Sequence, residues 1–357
     1  MVNLIGQRLG QYEIVARFGE GGMATVYKAR QPSVKREVAV KVIQPALAKN
    51  ETFAQRFERE CEVIAQLSHP HIVKMFDYGK MSGVHLRLID SEFDPKSNLY
   101  YFVMELLTGG NLSNRLSKGI MPIPEIRKIL TQIAPALDYA NGKGYIHRDL
   151  KPANVLFDDQ GNAFITDFGI AKMLDETNKN SLTQEGTTLG TPSYMSPELW
   201  MGENIGPWTD IYALGVVLFE MLTGKLPFVA GTPYRIMHMH VYDPPPSVKR
   251  FNQELPSAVD DVIRRVMAKL PEDRFPTATA MLEAFEAALG SARASELALS
   301  NAQSEAQVTP PNSATDEKSA SSPQQSTPNS VVAVLLGVIL VLFAIIVVLL
   351  IALANAG

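Results

Sequence analysis

A long apolar run near the end of the chain is the feature that most restricts its fold. From Val331 to Ala354 the sequence reads VVAVLLGVILVLFAIIVVLLIALA, without one charged or polar side chain. As a helix this run would extend about 36 Å, enough to cross a hydrocarbon core of about 30 Å with some tilt. A buried core helix normally keeps a polar face, which this run lacks. The sequence therefore predicts one C-terminal transmembrane helix over residues 331–354, followed by a short extracytoplasmic tail at 355–357.

The segment before this run has the opposite composition. Residues 289–330 contain no aromatic side chain and consist mostly of Ser, Ala, Gln, Pro, Thr and Asn. Such a segment cannot bury enough apolar surface to offset the entropy lost on ordering. It predicts a disordered juxtamembrane linker, whose root-mean-square reach as a coil would be about 35 Å.

Charge and cysteine content exclude several functions for the remaining residues. The chain has 33 Lys+Arg against 37 Asp+Glu, a balance that excludes a nucleic-acid partner bound by wholesale phosphate neutralisation. The single cysteine, Cys61, excludes an internal disulfide and a multi-cysteine metal site. The first 15 residues lack the basic and then apolar pattern of a secretion signal. These observations predict that the body of the chain is cytoplasmic.

The body divides into a β-favouring part and a helical part. β-Favouring runs occupy 12–16, 25–29 and 37–42, and a helix with apolar residues at helical spacing is predicted over 52–67. Beyond residue 120 the predicted helices are 124–143, 209–223, 256–269 and 277–288. This order predicts an α+β fold with two lobes and an active site between them. The polar stretch 79–99 predicts a hairpin extension or a surface loop.

Several short motifs carry the chemistry. Glycines in Gly19-Glu20-Gly21-Gly22-Met23-Ala24, between two predicted strands, would let backbone N–H groups approach phosphates. Alone this pattern would favour a plain hairpin, and it departs from G-x-G-x-x-G because Ala24 replaces the third glycine. The sequence continues with Val38-Ala-Val-Lys41, the run HRDLKPAN at 147–154, Asp167-Phe-Gly169 and Ser196-Pro-Glu198.

In this order and at these separations, the motifs resemble the eukaryotic-like serine/threonine protein kinases of bacteria, of the membrane-bound type. The resemblance covers about residues 12–288, which we assign as a protein kinase domain. It implies the bilobal protein kinase fold, with a β-rich N-lobe and an α-rich C-lobe. Because only 355–357 would lie beyond the predicted span, we expect no extracellular sensor domain.

The resemblance also implies the roles of individual residues. Lys41 would hold the α- and β-phosphates and be oriented by Glu60; Asp167 and Asn154 would bind Mg²⁺, with Mn²⁺ as an alternative. Asp149 would accept the proton of the substrate hydroxyl, assisted by Lys151 and Thr191. The implied ATP-binding residues are Phe18, Gly19, Glu20, Gly21, Gly22, Met23, Ala24, Val26, Ala39, Lys41, the gatekeeper Met104, Glu105, Leu107 and Leu156. Phe18 stands where the family usually has an aliphatic residue.

The remaining implied roles concern substrate class, support and regulation. Lys151 within DLKPAN and the segment 190–198 resemble kinases that phosphorylate Ser and Thr in proteins. The resemblance implies two structural roles. Glu198 would form an ion pair with Arg274, and Asp210 would brace the catalytic loop. Arg148 would collect a phosphate from the activation loop, where the predicted autophosphorylation sites are Thr183, then Thr187 and Thr188.

The sequence thus predicts an ATP- and Mg²⁺-dependent kinase on the cytoplasmic face of the cell membrane, in contact with membrane lipid and with its C-terminus outside. Its expected partners are protein substrates and, as an open alternative, a second copy through the kinase domain or the transmembrane helix. A pseudokinase scaffold that binds without transferring phosphate stays open as a second function. A third, a receptor whose output is the kinase, is not expected to have its own ligand-binding ectodomain, so its signals would arrive through a partner, the lipid or crowding of kinases.

Overall fold

The computed structural model describes residues 3–22, 24–45, 51–89, 91, 93–94, 97–168 and 192–290. The predicted transmembrane helix, its tail and the linker beyond residue 290 lie outside this part of the chain. Within the described ranges, no helix is both long and apolar enough to cross a membrane.

An antiparallel sheet of six strands builds the N-lobe. β-Branched and aromatic residues dominate its central strands and alternate between the two faces of the sheet. The spatial order is β1-β2-β3-β4-β6-β5. The strands are β1 (Arg8–Leu9), β2 (Tyr12–Glu20), β3 (Ala24–Gln31), β4 (Arg36–Ile43), β5 (Met75–Met81) and β6 (Leu99–Met104).

One face of this sheet is covered by helix α1 (Glu51–Ala65). Phe53, Phe57 and Cys61 of the helix are buried against Tyr100 and Phe102 of β6. The Phe57 and Phe102 rings lie 4.9 Å apart between centroids. This aromatic contact fixes the helix that carries Glu60 beside the sheet that carries Lys41.

The opposite face is covered by two segments that the sequence did not predict as packed elements. Leu4 and Leu9, both before the predicted domain boundary at residue 12, are fully buried there. The stretch 79–99 is neither a simple hairpin extension nor a surface loop, because it contains helix α2 (Gly83–Ile89). Leu86 of α2 is fully buried in the same apolar cluster as Leu4 and Leu9. The segment forms a helix here because Leu86, with Ile89 beside it, anchors it to the sheet.

Helices build the C-lobe around one apolar core. The central helix, α6, is buried along almost its whole length, whereas α4 buries one face. The predicted boundaries at 124, 143, 209 and 223 agree with the observed ones to within two residues. The helices are α3 (Leu112–Leu116), α4 (Ile123–Gly142), α5 (Pro197–Met201), α6 (Pro207–Thr223), α7 (Pro233–Tyr242), α8 (Ser257–Val266) and α9, described over 278–290.

A short hairpin of strands β7 (Val155–Phe157) and β8 (Ala163–Ile165) joins the catalytic motifs. The segment that follows α1 is bonded to β8, since the Val73 N–H donates to the Ile165 carbonyl (2.9 Å). In turn, the Ile165 N–H donates to the carbonyl of His71 (2.9 Å). These bonds position β8, and with it Asp167 two residues later, against the base of the N-lobe.

Candidate active site

A cleft of about 570 Å³ lies between the sheet and the catalytic motifs. Its size is typical of a small-molecule site. Every predicted ATP-binding residue lines it except Met23, which lies outside the described residues. The lining residues are Phe18, Gly19, Glu20, Gly21, Gly22, Ala24, Val26, Ala39, Lys41, Met104, Glu105, Leu106, Leu107, Gly110, Asn111, Asp149, Lys151, Ala153, Asn154, Leu156, Thr166 and Asp167.

The glycine-rich segment forms the hairpin between β2 and β3. The Gly21 N–H donates to the Ala24 carbonyl at 2.9 Å, which closes the turn. A bulge interrupts the register just before it, because Arg17 pairs with Tyr27 and Gly19 with Val26, leaving Phe18 as the additional residue. Phe18 is 51% exposed and lines the cleft, so the bulge supplies an aromatic wall that a regular strand would not provide.

Lys41 reaches the cleft from β4, but its ion-pair partner differs from the prediction. Its Nζ lies 2.5 Å from Oδ2 of Asp167. The predicted partner, Glu60, instead lines a separate cavity of about 50 Å³ beside Arg148 and Phe168. Asp167 is therefore the carboxylate paired with Lys41 in this structure.

This ion pair controls the charge of Asp167. Burial alone would raise the pKa of Asp167, but Lys41, His147 and Lys151 together outweigh burial and hold that pKa below its ordinary value. The carboxylate is therefore an anion at neutral pH. Its backbone has a φ of 67°, in the left-handed region that is uncommon for residues other than glycine.

Asp149 is the centre of a second polar group on the cleft floor. Lys151 Nζ lies 2.7 Å from its Oδ2. The Asn154 amide donates to the Asp149 carbonyl (2.7 Å) and to Oδ2 (3.2 Å). These bonds use the amide nitrogen, and the Asn154 side-chain oxygen is an acceptor of a residue that lines the cleft.

The loop that carries Asp149 is held from below by Asp210 of α6. The two carboxylate oxygens accept from the N–H groups of His147 (2.8 Å) and Arg148 (2.9 Å). Burial raises the pKa of Asp210, and these hydrogen bonds offset only part of the effect. The His147 ring in turn contacts the Thr166 carbonyl at 2.8 Å, which links the loop to the residue before Asp167. The support predicted for Asp210 is present.

The ion pair predicted between Glu198 and Arg274 is also present. It is bidentate, with both nitrogen–oxygen distances at 2.8 Å, and Arg274 NH1 also donates to the Trp208 carbonyl (2.9 Å). Burial would raise the pKa of Glu198, but Arg274 together with hydrogen bonds from the backbone and Thr209 lowers that pKa below its ordinary value. The pair connects α5, α6 and the turn before residue 275.

The oxygen donors on the cleft floor fit a magnesium ion. Mg²⁺ prefers carboxylate, amide and phosphate oxygens in proteins. Asp167 supplies an anionic carboxylate, and Asn154 supplies the available amide oxygen on the same wall. Among the described residues, no cluster of three or more His, Cys, Asp or Glu forms a metal site, so these two donors would depend on phosphate and water for further ligands.

The structure adds cleft residues that motif reading did not single out: Gly110, Asn111, Ala153 and Thr166. Each lies within or near a recognised segment, and that proximity is the only sequence signal for its place in the cleft. Beside Gly110, a Cβ on Gly109 would overlap the carbonyls of Phe157 and Asp158, which explains glycine at the exit of the cleft. Thr183, Thr187, Thr188 and Thr191 lie outside the described residues.

Comparison with known proteins agrees with this geometry. The family model for the protein kinase domain matches residues 12–285. PrkC of Bacillus subtilis (strain 168), a serine/threonine-protein kinase, is 38% identical over 280 residues, which cover 78% of this chain and 40% of the relative. The serine/threonine-protein kinase PknB of Mycolicibacterium smegmatis is 35% identical over 272 residues, covering 76% of this chain and 42% of the relative. The chain thus spans about two fifths of the length of these curated relatives.

A solved structure gives the same result. The crystal structure of the PknI kinase domain of Mycobacterium tuberculosis superposes with a TM-score of 0.62 at 28% identity. The match covers 81% of this chain and 100% of that domain. With the family model covering most of the sequence and the cleft residues in place, the chain belongs to the protein kinase family.

Proposed function

We propose that this chain is an active serine/threonine protein kinase, which transfers the γ-phosphoryl group of ATP to hydroxyls of protein substrates. The observation that carries the proposal is the convergence of Lys41, Asp149, Lys151, Asn154 and Asp167 on one cleft beneath a glycine hairpin. Phosphoryl transfer asks a protein mainly for charge neutralisation and alignment. This cleft supplies cations, oxygen donors and backbone N–H groups for both.

The nucleotide would enter with its base toward the hinge. Val26, Ala39 and Leu156 supply apolar walls for the ring, and Met104 limits the depth of the slot. The Glu105 N–H is already donated to the Lys74 carbonyl (2.9 Å), so the Glu105 carbonyl and the Leu107 N–H are the hinge groups left for the base. The phosphates would then lie under Gly19 to Gly22, near Lys41.

Asp167 and Asn154 would hold magnesium, which would neutralise phosphate charge. For this arrangement we propose that Glu60 replaces Asp167 as the partner of Lys41, which frees the Asp167 carboxylate. The Lys41–Asp167 pair is largely buried, and a buried charge is costly to leave unpaired. This supports replacement of Asp167 by another carboxylate at Lys41 rather than simple separation of the two residues.

The transfer step places Asp149 beside the substrate hydroxyl. The hydroxyl oxygen forms a bond to the γ-phosphorus, the bond from that phosphorus to ADP breaks, and the hydroxyl proton passes to Asp149. Lys151, whose Nζ lies 2.7 Å from Oδ2 of Asp149, would stabilise the negative charge of the γ-phosphoryl group during transfer. Thr191, outside the described residues, would complete this group.

We propose that the kinase is regulated by phosphorylation of its own activation loop in trans, at Thr183 or at Thr187 or Thr188. Arg148 supports this proposal, because it adjoins Asp149 and lines the cavity beside Glu60. A phosphothreonine carries close to two negative charges and pairs well with arginine. Phosphopeptide mapping of wild type against Asp149→Asn would contradict the proposal if no phosphate specific to wild type lies between 181 and 188.

We also propose that residues 331–354 anchor the chain in the cell membrane, with the kinase domain 12–288 on the cytoplasmic side and residues 289–330 as linker. The 24-residue apolar run supports this, as does the dependence of a kinase on cytoplasmic ATP. Relatives such as PknB are named as serine/threonine-protein kinases. The proposal includes protein substrates, contact with membrane lipid and pairing of two copies of the chain.

The decisive experiment measures transfer of labelled phosphate from ATP to a Ser/Thr peptide library by the full chain. Lys41→Met and Asp149→Asn should each lower the rate by at least 100-fold, because one removes phosphate alignment and the other the proton acceptor. Lys225→Met, at an exposed position two residues after the end of α6, is the matched control and should keep the wild-type rate. Nucleotide binding without any transfer by wild type would instead favour a scaffold.

A further inference from the structure

The helix inserted between β5 and β6 has a feature that kinase chemistry does not use. Leu86 of α2 is fully buried in the apolar cluster on the outer face of the N-lobe sheet, and Ile89 and Phe93 pack against that cluster. This contact fixes the helix to the outer face of the N-lobe sheet. The orientation of its remaining side chains is therefore set by the fold.

Two apolar side chains point away from that contact. Val84 is 63% exposed, and Leu88, one helical turn later, is 83% exposed. Residues four apart share one side of a helix, so the two form a continuous apolar strip, here termed the Val84–Leu88 ridge. Leu88 is the most exposed large hydrophobic residue of the part of the chain that the structure describes.

The size of the ridge restricts what can cover it. Two aliphatic side chains expose on the order of 200 Å², whereas a stable protein–protein interface buries about 800 Å² on each partner. A ridge this small suits shallow insertion into the boundary between lipid headgroups and acyl chains, where a few apolar side chains on an amphipathic helix are enough.

The sequence beyond the described residues indicates what covers the ridge, namely a lipid bilayer. It continues from 291 for 67 residues, which include the apolar run 331–354. A linker of about 40 residues has a root-mean-square reach near 35 Å, comparable to the size of the kinase domain itself. A bilayer that holds the run would therefore face the kinase domain at high effective concentration, so that even a weak contact is populated.

We propose that the Val84–Leu88 ridge inserts into the surface of the bilayer that anchors the chain and holds the N-lobe against it. The inference rests on the proposed membrane anchor. The stretch 82–98 contains two cations, Arg87 and Lys96, and three carboxylates, Asp90, Glu92 and Asp94. Because this stretch has no excess of positive charge, the proposed contact is apolar, and anionic lipid should not strengthen it.

The test uses the full chain reconstituted in lipid vesicles, with an environment-sensitive fluorophore on Leu88→Cys. The native Cys61 does not compete for the label, because it is fully buried and burial raises the pKa of its thiol far above the ordinary value. Val229→Cys, on the C-lobe and 71% exposed, is the matched control. Brominated lipids then quench only a label that touches the acyl region.

Quenching at position 88 should be at least twice that at position 229, and equal in zwitterionic and anionic vesicles. Equal quenching at the two positions overturns the proposal. Energy transfer between two labelled chains, without quenching by bromolipid, overturns it in favour of a second copy as occupant. A strict requirement for anionic lipid overturns the apolar contact.

The same samples separate this inference from the proposed function. Peptide phosphorylation in detergent reports the kinase, and flotation with vesicles reports the anchor. A chain that phosphorylates peptide and floats, with no quenching at 88, refutes the ridge alone. A chain that phosphorylates peptide but does not float refutes the anchor and the ridge together. The double variant Val84→Ser, Leu88→Ser should float and keep peptide activity within twofold, while amides 83–89 exchange hydrogen faster on vesicles than in wild type.

Discussion

At the scale of single residues, one buried carboxylate supports the catalytic loop. Asp210 accepts from two consecutive backbone N–H groups, those of His147 and Arg148, and is itself fully buried. A buried donor left without its acceptor costs about 1–3 kcal/mol. The position of Asp149 therefore depends on a residue 61 positions later in the sequence.

We expect Asp210→Asn to lower the free energy of unfolding by about 1–3 kcal/mol, because an amide offers only one oxygen to two N–H groups. Denaturant unfolding measures the effect. Asp261→Asn is the control, since that carboxylate is exposed and makes only a surface ion pair with Arg264. Equal losses for the two variants would contradict a special role for Asp210.

Motif spacing identified the cleft residues because kinase chemistry needs particular side chains at particular positions. It could not identify the partner of Lys41, since that depends on where α1 packs. Glu60 has the expected sequence position on α1, yet Lys41 pairs with Asp167, a residue 126 positions away. Likewise, the bulge at Phe18 follows from strand register and has no signal in composition.

At the scale of elements, α7 is held to the C-lobe by polar contacts at its last turn. Lys269 Nζ donates to the His240 carbonyl (2.7 Å), and the His240 ring contacts the Tyr212 hydroxyl (2.9 Å). Burial lowers the pKa of Lys269 from 10.5 to about 8, and Arg274 adds to the effect while Asp243 opposes it. The Lys269 ammonium group thus bonds a carbonyl in the last turn of α7, and the loss of its hydration on burial costs free energy.

This cost predicts a pH dependence with a definite sign. Between the folded pKa of about 8 and the unfolded value of 10.5, the unfolded chain binds a proton that the folded chain does not. Unfolding free energy should therefore rise from pH 8 to pH 10, by about 1 kcal/mol after allowance for solvent screening. Denaturant titrations at several pH values measure the slope. Lys269→Met should flatten it, and a variant that keeps the full slope would assign the rise to another group.

Long amphipathic helices were predictable from sequence, as α4 and α6 illustrate, because their apolar residues repeat at helical spacing. Helix α2 was not. It has seven residues, and an isolated helix of that length is unstable in water. Its stability comes from Leu86 in the core of the N-lobe, a contact between residues far apart in the sequence.

At the scale of the whole molecule, the proposed anchor would change how often two kinases meet. Chains confined to one membrane by linkers of about 40 residues encounter each other at raised effective concentration. Phosphorylation in trans should benefit from this, whereas phosphorylation of a freely diffusing peptide should not.

Deletion of residues 331–357 should therefore lower autophosphorylation of dilute protein by at least tenfold relative to the full chain in vesicles, and leave peptide phosphorylation within twofold. A dilution series of both forms, read by phosphate incorporation, measures this. The same concentration dependence for the two forms would contradict it.

The N-terminal segment has a practical consequence for work with fragments. The family match begins at residue 12, yet Leu4 and Leu9 are buried and the Gly6 N–H donates to the Ile14 carbonyl (2.9 Å). A fragment started at residue 12 would expose both an apolar surface and unpaired backbone groups along β2, the arrangement from which strands of different molecules pair. We expect such a fragment to elute from size-exclusion columns as soluble aggregates, while one started at residue 3 stays monodisperse. Residues 3–11 would then determine the solubility of the isolated kinase domain while lying outside its recognisable sequence.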